Sequence, residues 1–435
     1  MGRYLINRNY ARLWYGQAVS TVGDYVFDTT LVLWIATVLA RGRSWAPAAV
    51  SGVLLSVGSA TLIVGPVAGV FVDRWNRKLT MLHSELIRAG LVVVLLALSI
   101  VPARDLPTGV LLACVYAIVF AVNAVGQFFS PARFATIGEI VPGDVDRARA
   151  AGIGQATTAV AAIIGPPLAA PLLFGFGVHW AMLLNALSYV WSYFVIRSVP
   201  VPGRQRAATR SGPAALRREF VVGLHYFARS RILVSLLTVA VIAQGGTGAL
   251  NTLNVFFTTE NLHASAHEYG LLSMAFGAGA VIGALLAGRV VRWVGARTAT
   301  WSGLIVSGGF VCLYSRQTVF APGIVVLMLL AIPVAMMNTA ITPLLLRAAP
   351  PEMLGRVVAV FNPINELASM LSVVIAGWLA STALHNFRGS VGGMHLGPID
   401  AIFAGAGVLI GLAGCYAYLA LPREGAVGVP VEGAA

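Results

Sequence analysis

The chain has 435 residues, of which 58% are hydrophobic and only 10% are charged, and its mean hydropathy is +0.83. This composition leaves too little polar surface to cover a soluble globule of this length, so it excludes soluble enzymes and soluble binding domains. The net charge of +13 would suggest a nucleic-acid partner in a soluble protein, but no contiguous polar stretch is present to form such a domain.

Apolar stretches of membrane-spanning length follow one another along the chain. The first six are expected at about residues 14–40, 48–72, 80–101, 107–130, 150–174 and 179–197. The second six are expected at about 232–257, 267–291, 297–315, 320–346, 355–382 and 397–421. Each is close to the ~20 residues that a helix needs to cross a bilayer. The sequence therefore predicts an all-α integral membrane protein with twelve transmembrane helices in two six-helix bundles, residues 1–198 and 232–421.

Residues 199–231 form a basic, proline-containing linker between the two bundles, and residues 422–435 form a short tail. Within the linker, residues 214–229 fit either an amphipathic helix lying on the inner membrane surface or a solvated basic loop.

The distribution of cations predicts the orientation of the chain in the membrane. If the amino terminus is cytoplasmic, 24 of the 29 cationic residues fall on or near the cytoplasmic side. Positive charge concentrates on that side of membrane proteins. We therefore expect a multi-pass protein of the cell inner membrane with both termini in the cytoplasm. The residues left outside are Arg41, Arg43, Arg104, Arg316 and Arg388.

A short charged turn between the second and third spans contains Gly69, Asp73, Arg74, Arg77 and Lys78. A glycine permits close approach of two helices, and a carboxylate at a helix end pairs with arginine and with backbone N–H groups. The cations anchor the turn at the inner surface. We expect this cluster to act as a cytoplasmic gate, although a role in topology alone would also explain the cations.

Other charged residues are the expected partners of this turn. Arg88 and Glu85 lie in the third span, and Arg133 lies at the end of the fourth.

The chain carries signs of internal duplication. The Arg74-Trp75 pair returns as Arg292-Trp293, 218 residues later, and Pro131 returns as Pro343, 212 residues later. Two matches at nearly the same spacing indicate two related halves. The acid is missing from the second copy of the turn, where Val291 occupies its position.

Three carboxylates inside predicted spans, Asp24, Asp28 and Glu366, are candidates for proton coupling. A carboxylate within a span is costly unless it faces a cavity or a partner. Asp24 and Asp28 are four residues apart and share a helix face, which favours a shared proton. A hydrogen bond to a neighbouring helix is the alternative for Asp24. For Glu366 the alternatives are contact with a cationic substrate and a buried salt bridge.

Polar side chains recur at helical spacing in the first, fourth, seventh and tenth spans. One such stripe would more often mean hydrogen bonding between helices, but four at a period of three predict a shared central cavity. The residues expected to line it are Gln17, Trp34, Asn123, Gln127, Gln244, Asn251, Asn254, Asn338 and Asn362. In the fifth span, Gly165 and Pro166 predict a kink or hinge, because proline removes a backbone donor.

The charged turn resembles the signature loop of the major facilitator superfamily, in which the aspartate and arginines latch the outward-open state. Asn76 stands where that loop usually has glycine, and asparagine tolerates the left-handed backbone. The opening Asn9-Tyr-Ala-Arg-Leu-Trp14-Tyr-Gly16-Gln17 resembles the start of the third drug/proton antiporter family, which includes macrolide and enterobactin exporters. The Gly165-Pro166 pair is similar to the motif that superfamily antiporters carry on this helix.

The resemblance implies a secondary transporter, not an enzyme, that exports an amphipathic small molecule in exchange for protons by alternating access. We expect it to act as a monomer in the lipid bilayer, without metal, cofactor or nucleic acid. An importer or facilitator of a small solute is the alternative. An intramembrane enzyme acting on lipids is the weaker one, since the sequence has no HExxH or GxSxG motif.

Overall fold

The computed structural model describes residues 5–72, 74–101, 106–201, 213–385, 387, 389–391 and 394–422. The expected gate residue Asp73, residues 202–212 of the linker and the tail from residue 423 lie outside this part of the chain. Within it, twelve helices of at least 20 residues form two bundles of six, as expected. Ten of these have the length and composition to cross a membrane, and the other two, of 20 residues each, pack within the same bundles.

The first bundle contains six helices: α1 (Arg8–Trp34), α2 (Ala46–Val72), α3 (Arg77–Ile100), α4 (Thr108–Ile140), α5 (Asp144–Pro171) and α6 (Val178–Arg197). The linker helix α7 spans Pro213–Arg229. The second bundle contains α8 (Arg231–Phe256), α9 (Tyr269–Val294), α10 (Ala296–Ser315), α11 (Phe320–Ala348), α12 (Pro351–Trp378) and α13 (Pro398–Ala420). A short antiparallel hairpin, β1 (Gly389–Val391) with β2 (Met394–Leu396), lies between α12 and α13.

Several helices extend beyond the predicted spans because local capping favours more turns. The Asn7 side chain accepts from the Tyr10 backbone N–H at 2.8 Å, so α1 begins at Arg8 rather than near residue 14. Asp144 and Asp146 occupy the first turn of α5, where negative charge favours a helix N-terminus. Pro131 does not end α4, which continues to Ile140.

The helix pairings of the first bundle return in the second. In the first bundle α1 packs on α5 and α6, α2 on α4, and α3 on α4 and α6. In the second, α8 packs on α12 and α13, α9 on α11, and α10 on α11 and α13. Each pairing has its equivalent one half-chain later, so the duplication inferred from two sequence motifs extends to the whole fold.

The molecule has a basic face, where α1 begins and α13 ends, and an opposite face, where α1 ends and α2 begins. At the opposite face, the first and fifth helices of each half end in one π-helical turn, a feature that recurs at functional sites. These turns line a surface depression of about 1110 Å³. They are Ile35–Leu39, Leu172–Phe176, Phe257–Asn261 and Leu379–Ala383.

Two equivalent seams join the halves near the opposite face, between α2 and α12 and between α5 and α9. At the first seam the Ser51 hydroxyl donates to the Val373 carbonyl at 3.0 Å, and the Ala48 N–H donates to Ser381 Oγ at 3.1 Å. These contacts hold the two halves together at this face.

At the second seam the backbones of α5 and α9 meet directly. A Cβ at Gly270 would lie 2.6 Å from the Pro166 carbonyl oxygen and 2.7 Å from the Pro167 Cα, so only glycine fits. The Phe174 ring lies 4.4 Å from that of His267, centroid to centroid. The structure is therefore closed at the opposite face.

The charged turn shows no such approach at the basic face. A Cβ at Gly69 would meet nothing within 4 Å, contrary to the close contact expected there. The physical reason that Gly69 lacks a close neighbour is the position of the seams. Both seams lie near the opposite face, so the helix ends around Gly69 do not pack on the second half.

The linker helix α7 packs against the second half at the basic face. Phe227 is buried, the Tyr226 hydroxyl donates to the Ala348 carbonyl at 3.4 Å, and a Cβ at Gly223 would lie 2.8 Å from the Arg356 carbonyl oxygen. The interpretation of this segment as a loop is therefore wrong. Its placement on a membrane surface stays a prediction.

We predict that Gly270→Ala destabilises the closed seam, because its methyl group meets backbone atoms of Pro166 and Pro167 that have no freedom to rotate away. Overpacking of this kind costs about 1–3 kcal/mol. The measurement is the thermal unfolding midpoint of the purified protein in detergent, which should fall. Gly69→Ala is the matched control, since its methyl group enters open space. Equal midpoints for the two variants would contradict the seam.

Candidate functional site

A cavity of about 1030 Å³ lies between the halves on the basic-face side of the seams. We call it the basic-face cavity. The first half contributes α2 and α4, and the second half contributes α12. Two of the expected cavity residues, Gln127 and Asn362, meet here from opposite halves. The polar side chains that line it are Thr61, Gln127, Arg356, Asn362, Asn365 and Glu366.

Among the described residues that line this cavity, Glu366 is the one carboxylate. Its Oε1 lies against Gly58 of α2, where a Cβ would be only 2.9 Å away. The Glu366 side chain therefore crosses from the second half to the surface of the first. Within the described residues it makes no salt bridge or hydrogen bond. The buried salt bridge considered for it is absent from this part of the chain.

Asp24 lies in a cluster of charged side chains inside the first half. One of its oxygens pairs with Arg88 Nη2 at 3.2 Å, and the other accepts from the Tyr189 hydroxyl at 2.5 Å. The Arg88 guanidinium also lies over the Tyr189 ring, 4.1 Å from its centroid. These contacts join α1, α3 and α6. They give Asp24 the hydrogen bonds to neighbouring helices that were the alternative to proton coupling.

This cluster corrects the role expected of Arg88 and Glu85. Arg88 pairs with Asp24 and not with the charged turn, because the helical register of α3 points it into the bundle. Glu85, one turn earlier, is only 1% exposed and accepts from the Ser192 hydroxyl at 2.6 Å. Its second oxygen has no hydrogen-bond partner. The spacing of Glu85 and Arg88 by three residues was the available sign that both face the same neighbours.

Asp28 differs from Asp24 although it lies only one turn further along α1. Its side chain is exposed, and no described residue donates a hydrogen bond to it. Tyr25, three residues earlier, faces the second half. The two acids that looked alike in sequence therefore separate into one that is held by partners and one that is not.

The cations of the charged turn bind within the first half. Arg77 pairs with Glu139 at the end of α4, and Lys78 donates to the carbonyls of Arg197 and Val199 at 2.9 and 2.7 Å. Trp75 stacks on Phe128 with 5.7 Å between ring centroids. Arg74 is exposed and also makes a contact. The turn thus fixes the start of α3 to the ends of α4 and α6.

Asn76 has a different role from the one expected. Its φ is −68°, so it does not adopt the left-handed backbone, and its side chain accepts from the Leu79 N–H at 3.1 Å as the N-cap of α3. Asparagine is a preferred N-cap residue, which explains its presence without left-handed geometry.

Arg133 and Gln17 form a separate contact between α4 and α1. Arg133 Nη1 donates to Gln17 Oε1 at 3.0 Å, and both line a cavity of about 290 Å³ between α1, α4 and α5. Because α4 continues past Pro131, Arg133 lies inside the helix and not at its end. The Gln17 amide nitrogen is buried without a partner.

The polar residues of α8 face a second cavity, of about 370 Å³, which we call the side pocket. Asn251 and Asn254 line it, and Asn254 Oδ1 accepts from the Tyr314 hydroxyl at 2.8 Å. The side pocket also includes Tyr25 of α1 and Pro166 of α5. It is therefore closed by residues of both halves.

The remaining expected cavity residues do not join these two cavities. Asn123 donates to the carbonyl of Val119 in its own helix at 2.9 Å, and Trp34 is 5% exposed in the apolar core. Gln244 is partly buried and Asn338 is exposed, yet neither lines the basic-face cavity or the side pocket. The prediction of one chamber with four polar stripes was thus too simple: α2 and α12 supply part of the lining instead.

Gly165 and Pro166 lie where α5 meets both α1 and α9. A Cβ at Gly165 would be 2.6 Å from the Cβ of Tyr25. Pro166 is buried, and its carbonyl faces Gly270. The helix continues through both residues to Pro171. The pair therefore forms part of the seam between the halves, and its role as a hinge stays a prediction.

We predict that Asp24→Asn and Asp28→Asn differ sharply in stability. Asp24→Asn removes the salt bridge to the Arg88 guanidinium, and breaking such a pair costs about 3 kcal/mol. Asp28→Asn removes no contact, so a change of about 0.5 kcal/mol or less is expected. Thermal unfolding of the two purified variants beside the unmodified protein is the measurement. A larger loss for Asp28→Asn would show that the assignment of partners is wrong.

Comparison with known proteins agrees with this architecture. The family model described as Major Facilitator Superfamily matches residues 13–258 and 236–434. The uncharacterized MFS-type transporter YkuC of Bacillus subtilis is 24% identical over 436 residues, which cover 98% of this chain and 95% of YkuC. Macrolide efflux protein A of Streptococcus pyogenes is 22% identical over 383 residues, which cover 85% of this chain and 88% of that protein.

Among solved structures, a bacterial homologue of the iron transporter ferroportin in its inward-facing state superposes with a TM-score of 0.71 at 14% identity, covering 96% of this chain and 99% of the other. At this identity the likeness concerns the fold alone. The family match covers nearly the whole chain. The two six-helix halves of this structure superpose on a solved transporter of similar fold. This multi-pass membrane protein therefore belongs to the major facilitator superfamily and is a transporter, not an enzyme.

Proposed function

We propose that this transporter exports an amphipathic small molecule in exchange for protons, with the basic face in the cytoplasm. The observation that carries the proposal is the pair of unpartnered carboxylates, Asp28 in the first half and Glu366 in the second. The name of the related macrolide efflux protein supports the direction and the substrate class. The excess of cations on the basic face supports the orientation, with both termini in the cytoplasm.

The chemistry of the carboxylates favours Asp28 and Glu366 as proton carriers over Asp24. Asp24 accepts hydrogen bonds from Arg88 and Tyr189, so protonation of Asp24 would break an ion pair inside the membrane. Protonation of Asp28 or Glu366 breaks no such contact. In a medium of low polarity the neutral form of an unpaired acid is also the cheaper one. We therefore assign the coupling role to these two and a structural role to Asp24.

Glu366 gives the exchange a simple physical basis. Its carboxylate lies in the basic-face cavity beside Gln127, Asn362 and Asn365, so a substrate with a positive group in this cavity competes with a proton for the same oxygen atoms. The proton and the substrate then exclude one another at Glu366. If one binds on one side of the membrane and the other binds on the other side, the two are carried in opposite directions. Antiport follows from this competition.

Alternating access would use the two seams and the charged turn. In this structure the seams close the opposite face and the basic-face cavity is open between the halves, which corresponds to a cytoplasm-facing state. Arg77 and Lys78 tie the turn to the first half, so the turn moves with that half as one body. We propose that Gly69 and the turn meet the second half when the seams part. A single chain holds both cavities, so a monomer suffices.

The test is transport into proteoliposomes of the purified protein, with radiolabelled erythromycin as the macrolide probe and an acidic lumen. We expect accumulation of the probe, because protons leaving the lumen drive the solute inward in an antiporter. Accumulation only when the outside is acidic would instead identify an importer coupled to protons. Equilibration without accumulation at either gradient would identify a facilitator.

We predict that Asp28→Asn abolishes gradient-driven accumulation while counterflow exchange of the probe continues, since the amide cannot carry a proton but removes no structural contact. Asp28→Glu is the matched control and should retain accumulation. The expected loss is about 10²-fold, the size seen when a positioned proton carrier is removed. Undiminished accumulation by Asp28→Asn across a range of pH values would end its coupling role.

A further inference from the structure

The side pocket is built almost entirely from the second half. Its walls come from α8, α9, α10 and α11, with Ile410 from α13, and its first-half contribution is limited to Tyr25, Ala162 and Pro166 among the lining residues. At about 370 Å³ it lies near the lower end of the range of about 300 to 1,000 Å³ that ligand pockets occupy, which is space for a ring system. It lies apart from the basic-face cavity, which is lined by α2, α4 and α12.

The lining of the side pocket carries no charge. None of its described residues is Asp, Glu, Lys, Arg or His. The contrast with the first half is sharp, because there Asp24, Glu85 and Arg88 are packed together between α1, α3 and α6. The walls are mostly aliphatic and aromatic, and examples from each helix are Leu250, Phe276, Leu304 and Leu330. A charged group entering this pocket would lose its hydration without finding a partner.

The pocket nevertheless holds hydrogen-bonding groups that the protein does not use. Ser307 lines it, is only 2% exposed, and its hydroxyl has no hydrogen-bond partner. Asn251 also lines it and is exposed. An unpaired buried hydroxyl is costly to the folded protein, so Ser307 calls for a ligand group or an ordered water that satisfies it.

We propose that the side pocket is a subsite for an uncharged, apolar or aromatic part of the transported molecule that carries one hydrogen-bonding group for Ser307. This inference rests on the proposed function and adds the chemistry of the substrate to it. The charged part of the same molecule lies toward Asp28 and Glu366. A molecule with both parts is an amphipath, and the separation of an uncharged pocket from the two carboxylates gives the reason for that preference.

The pocket is also linked to the movement of the halves. Tyr25 and Pro166 close it from the first half, and Pro166 packs on Gly270 at the seam. When α5 and α9 part, these two residues leave the pocket and its wall opens. The subsite is therefore complete in the state described here and incomplete when the opposite face opens, which lowers the affinity for the apolar group on the side of release.

Cysteine labelling tests the pocket without knowledge of the substrate. The full chain is reconstituted in liposomes with its native cysteines Cys114, Cys312 and Cys415 replaced by alanine, and Ser273→Cys places a thiol in the pocket wall. N-phenylmaleimide is compared with N-(4-carboxyphenyl)maleimide, which differs only by a carboxylate. We expect about tenfold faster labelling by the neutral reagent, because the pocket offers no partner for charge.

Thr252→Cys is the matched control for this experiment. Thr252 is fully buried and its hydroxyl is also unpartnered, but it does not line the pocket. We expect neither maleimide to label it at an appreciable rate. Equal rates of the two reagents at Ser273→Cys would refute the preference of the side pocket for uncharged groups. Labelling as slow as at Thr252→Cys would refute its accessibility.

Filling the pocket provides a second test, in which the rate of labelling of the same thiol is compared with and without a bulky neighbour. Val334→Trp, added to Ser273→Cys, occupies part of the cavity and should slow labelling by N-phenylmaleimide about fivefold or more, because the reagent loses space. Val325→Trp on the same helix is the control, since Val325 is 50% exposed and lies outside the pocket. Equal effects of the two tryptophans would contradict the proposal.

Protection by erythromycin then decides whether the pocket serves the substrate. We expect erythromycin to slow labelling, and Ser307→Ala to raise the concentration needed for half-protection about fivefold, as loss of one hydrogen bond does. Thr252→Ala should leave it unchanged. Labelling without protection by a macrolide that the protein transports would refute the subsite. Absence of macrolide transport together with the neutral preference at Ser273→Cys would contradict the macrolide substrate class of the proposed function and not the pocket.

Discussion

Close backbone packing at the two seams is the contact on which the rest of the structure depends. Lipid provides no hydrophobic drive for helices to associate, so halves that meet inside a membrane must do so through small residues and hydrogen bonds. Here Gly270 meets the Pro166 carbonyl at one seam, and Ser51 donates to the Val373 carbonyl at the other. Because both seams lie near the same face, the halves separate toward the other face. The basic-face cavity follows from this geometry.

The two halves share their helix packing but differ in their polar and charged residues. Every helix pairing of the first half recurs in the second, and even the π-helical turns of α1 and α5 recur after α8 and α12. The ion pair of Asp24 and Arg88 does not recur, because α8, the counterpart of α1, contains no carboxylate. Asp24 and Arg88 are packed inside the first half, whereas the side pocket in the second half is neutral. A charge inside a span is tolerated only where a partner or a cavity compensates for lost hydration.

The charged turn fastens helices of the first half to one another, and in the proposed mechanism it moves with that half. Lys78 donates to two carbonyls at the end of α6, Arg77 pairs with Glu139, and Asn76 caps α3. These contacts satisfy helix ends that would otherwise be left without partners. They also join α3 to α4 and α6. A half that moves as a unit can open one face and close the other, because its own packing need not change.

The sequence by itself determined the number of helices, the duplication and the presence of acids within the spans. Those features depend on composition and periodicity, which are local properties of the chain. The tertiary structure alone decided which acid has a partner: Asp24 and Asp28 lie one turn apart on α1, yet only Asp24 meets Arg88 and Tyr189. It also decided that Glu366 crosses to Gly58 and that the polar face of α8 closes a neutral pocket. Such contacts join residues hundreds of positions apart, and they depend on how helices are rotated and packed against one another, which hydrophobic periodicity does not encode.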